Sequence, residues 1–457
     1  MSYTWGLDFR RKTPIATYAI IIVNVIIYLL SSYQSTFVQI TEDWVDIFSY
    51  VPVLMHNPLQ WYRIVTSMFM HGDIFHIFFN MMFLYWFGRE LELMLGIKKY
   101  LALYFISGLS ATIFHTAFAP ITGSISLVVP ALGASGAISG ILGAFLLTYP
   151  RRRLSLCLFY FFIPLCFTTT VALFLLFWFA TQVIYGYLRF GGIAFFAHVG
   201  GFVAGLSLIY VLKRRRLYET PPWQLIIPAP PFEWHKPIGL GITSKLILSV
   251  LLMAVLGGAI YSMVVAPHAS SIYIVNIRAC SAELCDVDEG VYTPINDETI
   301  TPAKNLSRIA FNRIVWSNII KAPSTTYCNN DFIEISWRGV ARMPNTNIKI
   351  PTTIQGIGKY DDRCILIEFN GSIDTYVVNI YNILGTSIAK LGDKLIRIDQ
   401  IEFKSRDIAE DAGKIIVRPM ALISSAITIS SIFVVALKDK DIVEEEFLYI
   451  PRYTPWI

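Results

Sequence analysis

Two polar residues in otherwise apolar sequence have side chains that could carry out acyl-transfer chemistry. Ser135 lies in ALGASGAISGILGAF (131–145), which contains no charged residue, and His198 lies in a second apolar segment, AHVGGFVAG (197–205). A serine hydroxyl becomes a useful nucleophile when a base removes its proton, and histidine titrates near neutral pH. The pair therefore predicts a nucleophile and its general base.

A third apolar segment, HGDIFHIFFN (71–80), contains His76 and Asn80 four residues apart, on one face of a helix. A tetrahedral intermediate needs hydrogen-bond donors aimed at its oxyanion. These two side chains, with the backbone N–H of Ser135, could provide them. Polar groups within apolar spans are costly and usually mark function or hydrogen bonds inside a helix bundle.

Glycines line one face of the segments that contain Ser135 and His198. They are Gly136, Gly140 and Gly143 in the first segment and Gly201 and Gly205 in the second. Such faces allow two helix backbones to pack closely, so a purely structural role in helix association is the alternative to a catalytic one. If the two faces meet, the ring of His198 lies against the hydroxyl of Ser135.

The composition requires that membrane-spanning helices position these residues. Of 457 residues, 55% are hydrophobic and only 15% are charged, which is more apolar surface than a soluble protein can bury. Lys and Arg occur in short clusters between apolar runs, so nucleic acid is not an expected partner. Seven spans are predicted, at about residues 15–30, 73–87, 100–118, 133–149, 168–188, 193–212 and 246–265.

Basic residues predict the orientation of these spans, because cytoplasmic loops are enriched in Lys and Arg. One side receives Arg10, Arg11, Lys12, Arg89, Lys98, Lys99, Arg151, Arg152, Arg153, Lys213, Arg214, Arg215 and Arg216, and the other receives Arg63 and Arg189. The amino terminus is therefore predicted to be cytoplasmic. No cleavable signal peptide is evident, and the chain after the seventh span is predicted to be outside the cytoplasm.

At these motifs the chain resembles the rhomboid family of intramembrane serine proteases. The matching pieces are HGDIFHIFFN, GASG (133–136) and AHVGGFVAG, with Trp61 and Arg63 before the second span and Gly88-Arg89-Glu90 after it. The resemblance covers about residues 15–213. It implies a six-helix protease core at residues 1–217, within an α-helical polytopic membrane protein.

The resemblance also implies the roles of individual residues. Ser135 and His198 would form a dyad with no acidic third member, and His76, Asn80 and the Ser135 amide would form the oxyanion hole. Supporting roles would fall to His71, Gly133, Gly136, Gly201, Gly205, Trp61, Arg63 and Glu90. In many relatives an aromatic ring supports the histidine from four residues after the nucleophile. Ser139 stands there in this chain, so His198 is restrained less, or by something else.

The resemblance implies that the substrates are single-span membrane proteins within the lipid bilayer. The protein is expected to need no cofactor and no metal. Phe174, Phe177, Trp178 and Phe179 would line the path by which substrate enters sideways, or else simply face lipid. A catalytically silent rhomboid-like escort protein is the main alternative. A small-solute transporter is a third reading, but it predicts internal repeats, and the sequence shows none. The oligomeric state stays open.

Beyond the core, the sequence changes character. Residues 218–245 form a Pro-rich cytoplasmic linker, 246–265 a seventh transmembrane helix and 266–457 a β-rich, soluble, extracytoplasmic domain. Within that domain, residues 419–437 are apolar enough for an eighth span, although their alternation favours strands. The short apolar segment 154–165 is expected to be a cytoplasmic-side hairpin or a re-entrant piece.

Four cysteines of the last domain could form disulfides outside the cytoplasm. They are Cys280, Cys285, Cys328 and Cys364, and the sequence does not choose among their three pairings. A zinc site or free thiols are the alternatives.

Overall fold

The computed structural model describes residues 13–160, 163–213, 239–265, 273–281, 284–292, 301–302, 331–342, 349–383, 386–407 and 412–443. Its helices are α1 (Ile15–Ser32), α2 (Glu42–Phe48), α3 (Arg63–Thr66), α4 (Ile74–Phe83), α5 (Arg89–Leu95), α6 (Ile97–Ala117), α7 (Ala119–Thr122), α8 (Ser135–Thr148), α9 (Val171–Tyr187), α10 (Phe195–Leu212), α11 (Ile242–Val265), α12 (Arg418–Phe433) and α13 (Asp439–Ile442). Its strands are β1 (Arg153–Tyr160), β2 (Ile163–Thr170), β3 (Tyr273–Ser281), β4 (Leu284–Tyr292), β5 (Thr301–Pro302), β6 (Phe332–Arg342), β7 (Lys349–Tyr360), β8 (Leu366–Ile383) and β9 (Thr386–Asp407).

Five helical stretches in the described part of the chain are long and apolar enough to cross a membrane. They are Ile15–Ser35, Ile97–Ala117, Phe195–Leu212, Ile242–Val265 and Ala412–Ile442. Helices α8 and α9 are apolar but shorter. The chain is therefore a multi-pass helical membrane protein, as the composition predicted. The last of the five stretches is not one of the seven predicted spans.

The second predicted span extends beyond residue 87, because a π-helical turn (Leu84–Gly88) joins α4 to α5. Helix α5 carries carboxylates beyond the predicted end of this span, and one of them, Glu92, is buried. Its oxygens accept hydrogen bonds from the N–H groups of Ala16 (2.8 Å) and Thr17 (2.7 Å). The first backbone N–H groups of a helix have no acceptor within the helix, and the N-cap residue of α1 provides none through its side chain. Glu92 of α5 provides the acceptor instead.

Helix α8 lies at the centre of the helical core, where all residues from Gly136 to Thr148 are buried. Its closest neighbour is α10, and the two backbones pack through glycines. A Cβ at Gly201 would overlap the carbonyl oxygen of Gly136, and a Cβ at Gly205 would overlap that of Gly140. The two glycine faces therefore meet.

Residues 153–170 form an antiparallel hairpin of β1 and β2, in line with one of the two expectations for the 154–165 segment. Cys157 and Cys166 are opposite each other in its register. Cys166 is disulfide-bonded. Both cysteines lie in apolar sequence, and this disulfide was not among those predicted from the sequence.

A seven-stranded antiparallel sheet follows α11, in the order β5-β4-β3-β9-β8-β7-β6. Large buried side chains cover one face of it, among them Tyr273, Tyr360 and Phe369. The expected β-rich region is therefore present at residues 273–407, although α11 begins at Ile242 rather than at residue 246. Most of the predicted linker, residues 218–238, lies outside the described residues.

Cys364 in this region is disulfide-bonded. Cys280 and Cys285 are opposite each other in the β3–β4 register, and Cys328 lies outside the described residues.

The preference for strands at residues 419–437 is wrong, because the chain from Ala412 to Ile442 is helical. The Ser and Thr residues that suggested strands bond within the helix. Ser424 donates to the carbonyl of Met420 (2.8 Å) and Thr428 to that of Ser424 (2.7 Å). Hydroxyls satisfied in this way do not prevent an apolar helix from forming. The region after residue 266 is therefore not entirely a soluble β domain.

Polar contacts attach this last helical stretch to the core. Ser431 Oγ donates to the Val203 carbonyl (2.7 Å) and lies 2.5 Å from Ser207 Oγ, both on α10. At the far end, Asp439 is buried and pairs with Lys245 at 2.7 Å.

Candidate active site

Ser135 is the first residue of α8, and the turn before the helix presents its side chain. Gly133 has φ +123°, a left-handed conformation that favours glycine. A Cβ at that position would also lie 2.8 Å from Nε2 of His76, closer than side-chain atoms pack. Glycine is therefore required before the serine on two grounds, its backbone angle and the neighbouring ring.

His198 lies in the first turn of α10, and its Nε2 is 2.8 Å from Ser135 Oγ. The glycine contacts between α8 and α10 explain how the two residues come so close, since each missing side chain shortens the distance between the helix axes. The structure thus brings together the two residues predicted to form the dyad. A serine hydroxyl in this position can transfer its proton to the imidazole.

The second ring nitrogen of His198 has a partner that the sequence analysis missed. Nδ1 lies 2.8 Å from Oε1 of Gln182, on α9. Gln182 is buried, and it is the only amide or ionisable residue of α9 apart from two tyrosines. A polar amide within an apolar span was the signal that could have identified it.

The histidine also has an aromatic neighbour, although Ser139 stands where many relatives are expected to have a ring. The ring centroid of Trp178 on α9 lies 6.2 Å from that of His198, with the planes tilted by 31°. Ser139 itself donates to the Ser135 carbonyl at 2.6 Å within α8. His198 is therefore restrained from α9, by Gln182 and Trp178.

His76 and Asn80 face the same cavity as Ser135. Asp73 caps the start of α4 by accepting from the N–H groups of Phe75 and His76, both at 2.9 Å. Asn80 is buried and donates through Nδ2 to the His76 carbonyl at 2.9 Å. The structure thus places both predicted oxyanion donors beside the serine, with the Asn80 amide bonded to its own helix.

His71 lies behind these residues and is fully buried. Its Nε2 accepts from the N–H of Ala134 at 3.5 Å, and its ring is edge-on to that of His76, with the centroids 5.1 Å apart. His71 thus links the residue before the serine to the oxyanion side of the cavity.

The cavity that joins these side chains has a volume of about 800 Å³. Apolar side chains make up much of its wall, including Phe79, Phe83, Ile138 and Leu142. The loop from Arg189 to Ala194 closes another side. An apolar cavity with a few converging polar groups is the usual form of a binding site, and this one suits an apolar chain segment.

The remaining predicted supporting residues lie away from the cavity. Trp61 is exposed and donates to the Met55 carbonyl at 3.0 Å. Arg63 is fully buried and donates to the Ser49 carbonyl at 3.0 Å. Glu90 pairs with Arg89 at 3.4 Å and with Arg152 at 3.5 Å. These residues contact loops around the core rather than the dyad.

The three phenylalanines of α9 that were predicted to line the substrate path have different surroundings. Phe177 is exposed and Phe179 is buried against Phe202 of α10. Phe174 stacks on Phe83, the last residue of α4, with the ring centroids 6.5 Å apart and the planes 10° from parallel. This stack is a contact between the segment that carries His76 and the helix that carries Gln182.

Comparison with known proteins gives matches to one family of proteins. Residues 58–215 match the model of the rhomboid domain. The rhomboid protein 1, mitochondrial, of Saccharomyces cerevisiae is 30% identical over 226 residues, covering 47% of this chain and 60% of that protein. The rhomboid protease GluP of Bacillus subtilis is 30% identical over 138 residues, covering 30% of this chain and 25% of that protein.

A third relative is the presenilin-associated rhomboid-like protein A, mitochondrial, of Danio rerio, 34% identical over 94 residues, which cover 21% of this chain and 24% of that protein. The chain thus spans between 24% and 60% of the length of these relatives. The sheet of residues 273–407 lies outside the segment that matches the domain model.

Proposed function

This chain belongs to the rhomboid family through its domain at residues 58–215, and from that premise we propose that it is an intramembrane serine endopeptidase. The observation that carries the proposal is the 2.8 Å contact between Ser135 Oγ and His198 Nε2. The family also contains members without protease activity, so the contact, rather than the membership, supports the activity.

In the proposed reaction, Ser135 Oγ attacks a carbonyl carbon of the substrate while His198 Nε2 takes its proton. The tetrahedral intermediate collapses to an acyl-enzyme when the protonated ring gives that proton to the leaving amine. A water molecule then attacks the ester, with His198 again as base, and releases Ser135. The chain's own residues supply every proton transfer in this scheme, so it requires no metal.

Oxyanion stabilisation falls to the N–H of Ser135 and to the side chains of His76 and Asn80. The Asn80 amide donates to its own helix in the structure. Rotation about its side-chain bonds would turn that donor toward an oxyanion in the cavity. A donor that bonds the protein at rest and the oxyanion in the transition state favours the transition state.

Substrates are proposed to be single-span membrane proteins that enter sideways from the bilayer. Helix α8 has 14 residues, which at 1.5 Å per residue is about 21 Å, shorter than a bilayer core of about 30 Å. Ser135 at the end of a short helix would therefore lie below the membrane surface. The Phe83–Phe174 stack is the contact that would open to admit a substrate helix.

We propose that the chain crosses the membrane eight times, with the amino terminus in the cytoplasm. Lys213, at the end of α10, donates to the carbonyl of Ile442, and Lys245, near the start of α11, pairs with Asp439. The start of α11 and the end of the last helical stretch thus meet at the end of α10 opposite His198, which is the cytoplasmic end of α10 in this orientation. The sheet between those helices would then stand on the face where the active site opens, outside the cytoplasm.

Thiol labelling tests this orientation. After reduction of intact cells, an impermeant thiol reagent should modify Cys328 and Cys364. Modification that occurs only after lysis would place the sheet in the cytoplasm and contradict the proposed orientation.

The activity is tested by incubating the purified protein with a model single-span substrate and mapping the cut by mass spectrometry. Ser135→Ala and His198→Ala should each abolish cleavage, whereas Asn80→Ala should reduce the rate by about 10²- to 10³-fold, as for one lost oxyanion donor. A fluorophosphonate should label the wild type at Ser135. Full cleavage by Ser135→Ala would exclude the mechanism, and a wild type that neither cleaves nor labels would favour the silent escort protein.

A further inference from the structure

We propose that Gln182 is a positioning residue that selects the tautomer of His198, a role that rests on the serine-hydrolase function proposed above. Gln182 is 8% exposed, and its Oε1 lies 2.8 Å from His198 Nδ1. It does not belong to the wall of the 800 Å³ cavity. Gln182 therefore acts through the imidazole and not on the substrate.

A neighbouring hydroxyl fixes which end of the amide faces the ring. Thr181 Oγ1 donates to the Trp178 carbonyl at 2.6 Å. That bond uses the only hydroxyl proton of Thr181, so its oxygen is left as an acceptor. Gln182 Nε2 donates to this oxygen at 3.2 Å, which turns Oε1 toward His198.

The amide oxygen decides where the imidazole carries its proton. An amide oxygen can only accept, so His198 Nδ1 is the protonated nitrogen. A neutral imidazole has one N–H, which leaves the lone pair on Nε2, 2.8 Å from Ser135 Oγ. This is the tautomer that can take the serine proton. With the amide reversed, the proton would lie on Nε2 and the ring could not act as base.

An amide performs this role without a buried charge. Helix α9 (VALFLLFWFATQVIYGY) contains no charged residue. A carboxylate at position 182 would also accept from Nδ1, but burying its charge among apolar helices would be unfavourable. A series of hydrogen bonds therefore connects α9, α10 and α8. It runs from the Trp178 carbonyl through Thr181, Gln182 and His198 to Ser135, and every group in it is neutral.

Two substitutions at position 182 separate this role from a structural one. Gln182→Met keeps the length and removes the acceptor, and Gln182→Glu keeps the acceptor and adds a charge. The measurements are kcat and KM on the model single-span substrate, the rate of fluorophosphonate labelling at Ser135, and the pH–rate profile. Thr148→Val, a buried substitution at the far end of α8, is the control for the loss of a buried polar group.

We expect Gln182→Met to lower kcat and the labelling rate by roughly 10- to 100-fold, part of the general-base contribution, with KM unchanged. Gln182→Glu should recover most of kcat in alkaline solution. The acid side of its pH–rate profile should move to higher pH, because a carboxylate stabilises the protonated ring. Thr148→Val should leave all three quantities unchanged.

Wild-type kcat and labelling in Gln182→Met would overturn the proposal. An equal loss in Gln182→Met and Gln182→Glu at every pH would also overturn it, since that result indicates a packing role. If Gln182→Met fails to fold, the pH–rate profile of Gln182→Glu decides alone. A wild type that labels at Ser135 without cutting substrate would refute the protease, while the labelling rates would still test the tautomer.

Discussion

Helix α10 packs against two neighbours in different ways, against α8 through glycines and against α12 through serines. At the first contact, Gly201 and Gly205 lie directly on backbone carbonyls of α8. At the second, Ser207 and Ser431 join the helices through their hydroxyls. Backbone contact leaves no room for a side chain, whereas hydroxyl contact leaves the helices a side chain apart. Ser135 and His198 thus lie beside the glycine contact, where the two helices have less freedom to move apart.

The two contacts also differ in what they connect. The glycine contact fixes the distance between Ser135 and His198, the proposed nucleophile and base, on which the proposed chemistry depends. The serine contact holds the last helical stretch, and through it the sheet, against the core. Substitutions at the first contact should therefore affect activity, and those at the second should affect stability.

The largest effect is expected for Gly201→Val. The valine side chain would overlap the Gly136 carbonyl oxygen, so α10 would move away from α8. A displacement of about 1 Å can cost on the order of 10²-fold in rate, and we expect at least that loss of cleavage. Gly257→Val is the matched control, because a Cβ on Gly257 of α11 meets no atom within 4 Å. Equal activity in the two variants would mean that the glycine contact does not position the dyad.

An intermediate effect, on stability, is expected for Asp439→Asn. The Asp439 carboxylate accepts from Lys245 at 2.7 Å and from the N–H of Leu240 at 3.0 Å. Hydrogen bonds to a charged group contribute about 1.5–3 kcal/mol each, and the asparagine keeps part of them. The midpoint of thermal unfolding in detergent should fall, with kcat unchanged.

Asp441→Asn is the control for that variant, since Asp441 pairs with Lys438 at 3.7 Å on a partly exposed surface. A drop in midpoint as large as that of Asp439→Asn would contradict the importance of the buried pair.

The smallest effect is expected for Ser431→Ala. It removes the bonds to the Val203 carbonyl and to Ser207, and such bonds between membrane helices average about 0.6 kcal/mol. Unfolding should shift slightly, and cleavage should stay at the wild-type rate. Ser430→Ala, on the exposed side of the helix, should change neither. A loss of activity in Ser431→Ala alone would show that the serine contact also positions the dyad.

The sequence by itself was sufficient to predict the residues of the candidate site and most of the helices that carry them. Ser135, His76 and His198 lie in separate apolar segments, and a polar residue in such a segment is costly enough to be conspicuous. The length of the apolar runs predicted most of the helices, and the alternation of apolar and polar residues predicted the sheet. These features are local, so neighbouring residues in the chain are sufficient to predict them.

Only the tertiary structure decided which groups meet. Gln182 is one amide on a third helix, and nothing near it in sequence indicates that it faces His198. Glu92 lies beyond the predicted end of the second span, and only the fold shows its contact with the start of α1. Residues 419–437 were expected to favour strands because of their alternation and their Ser and Thr residues, but those hydroxyls bond within a helix. For Gln182 and Glu92 the deciding partner lies on another helix, and the stability of a buried polar group depends on that partner rather than on its neighbours in sequence.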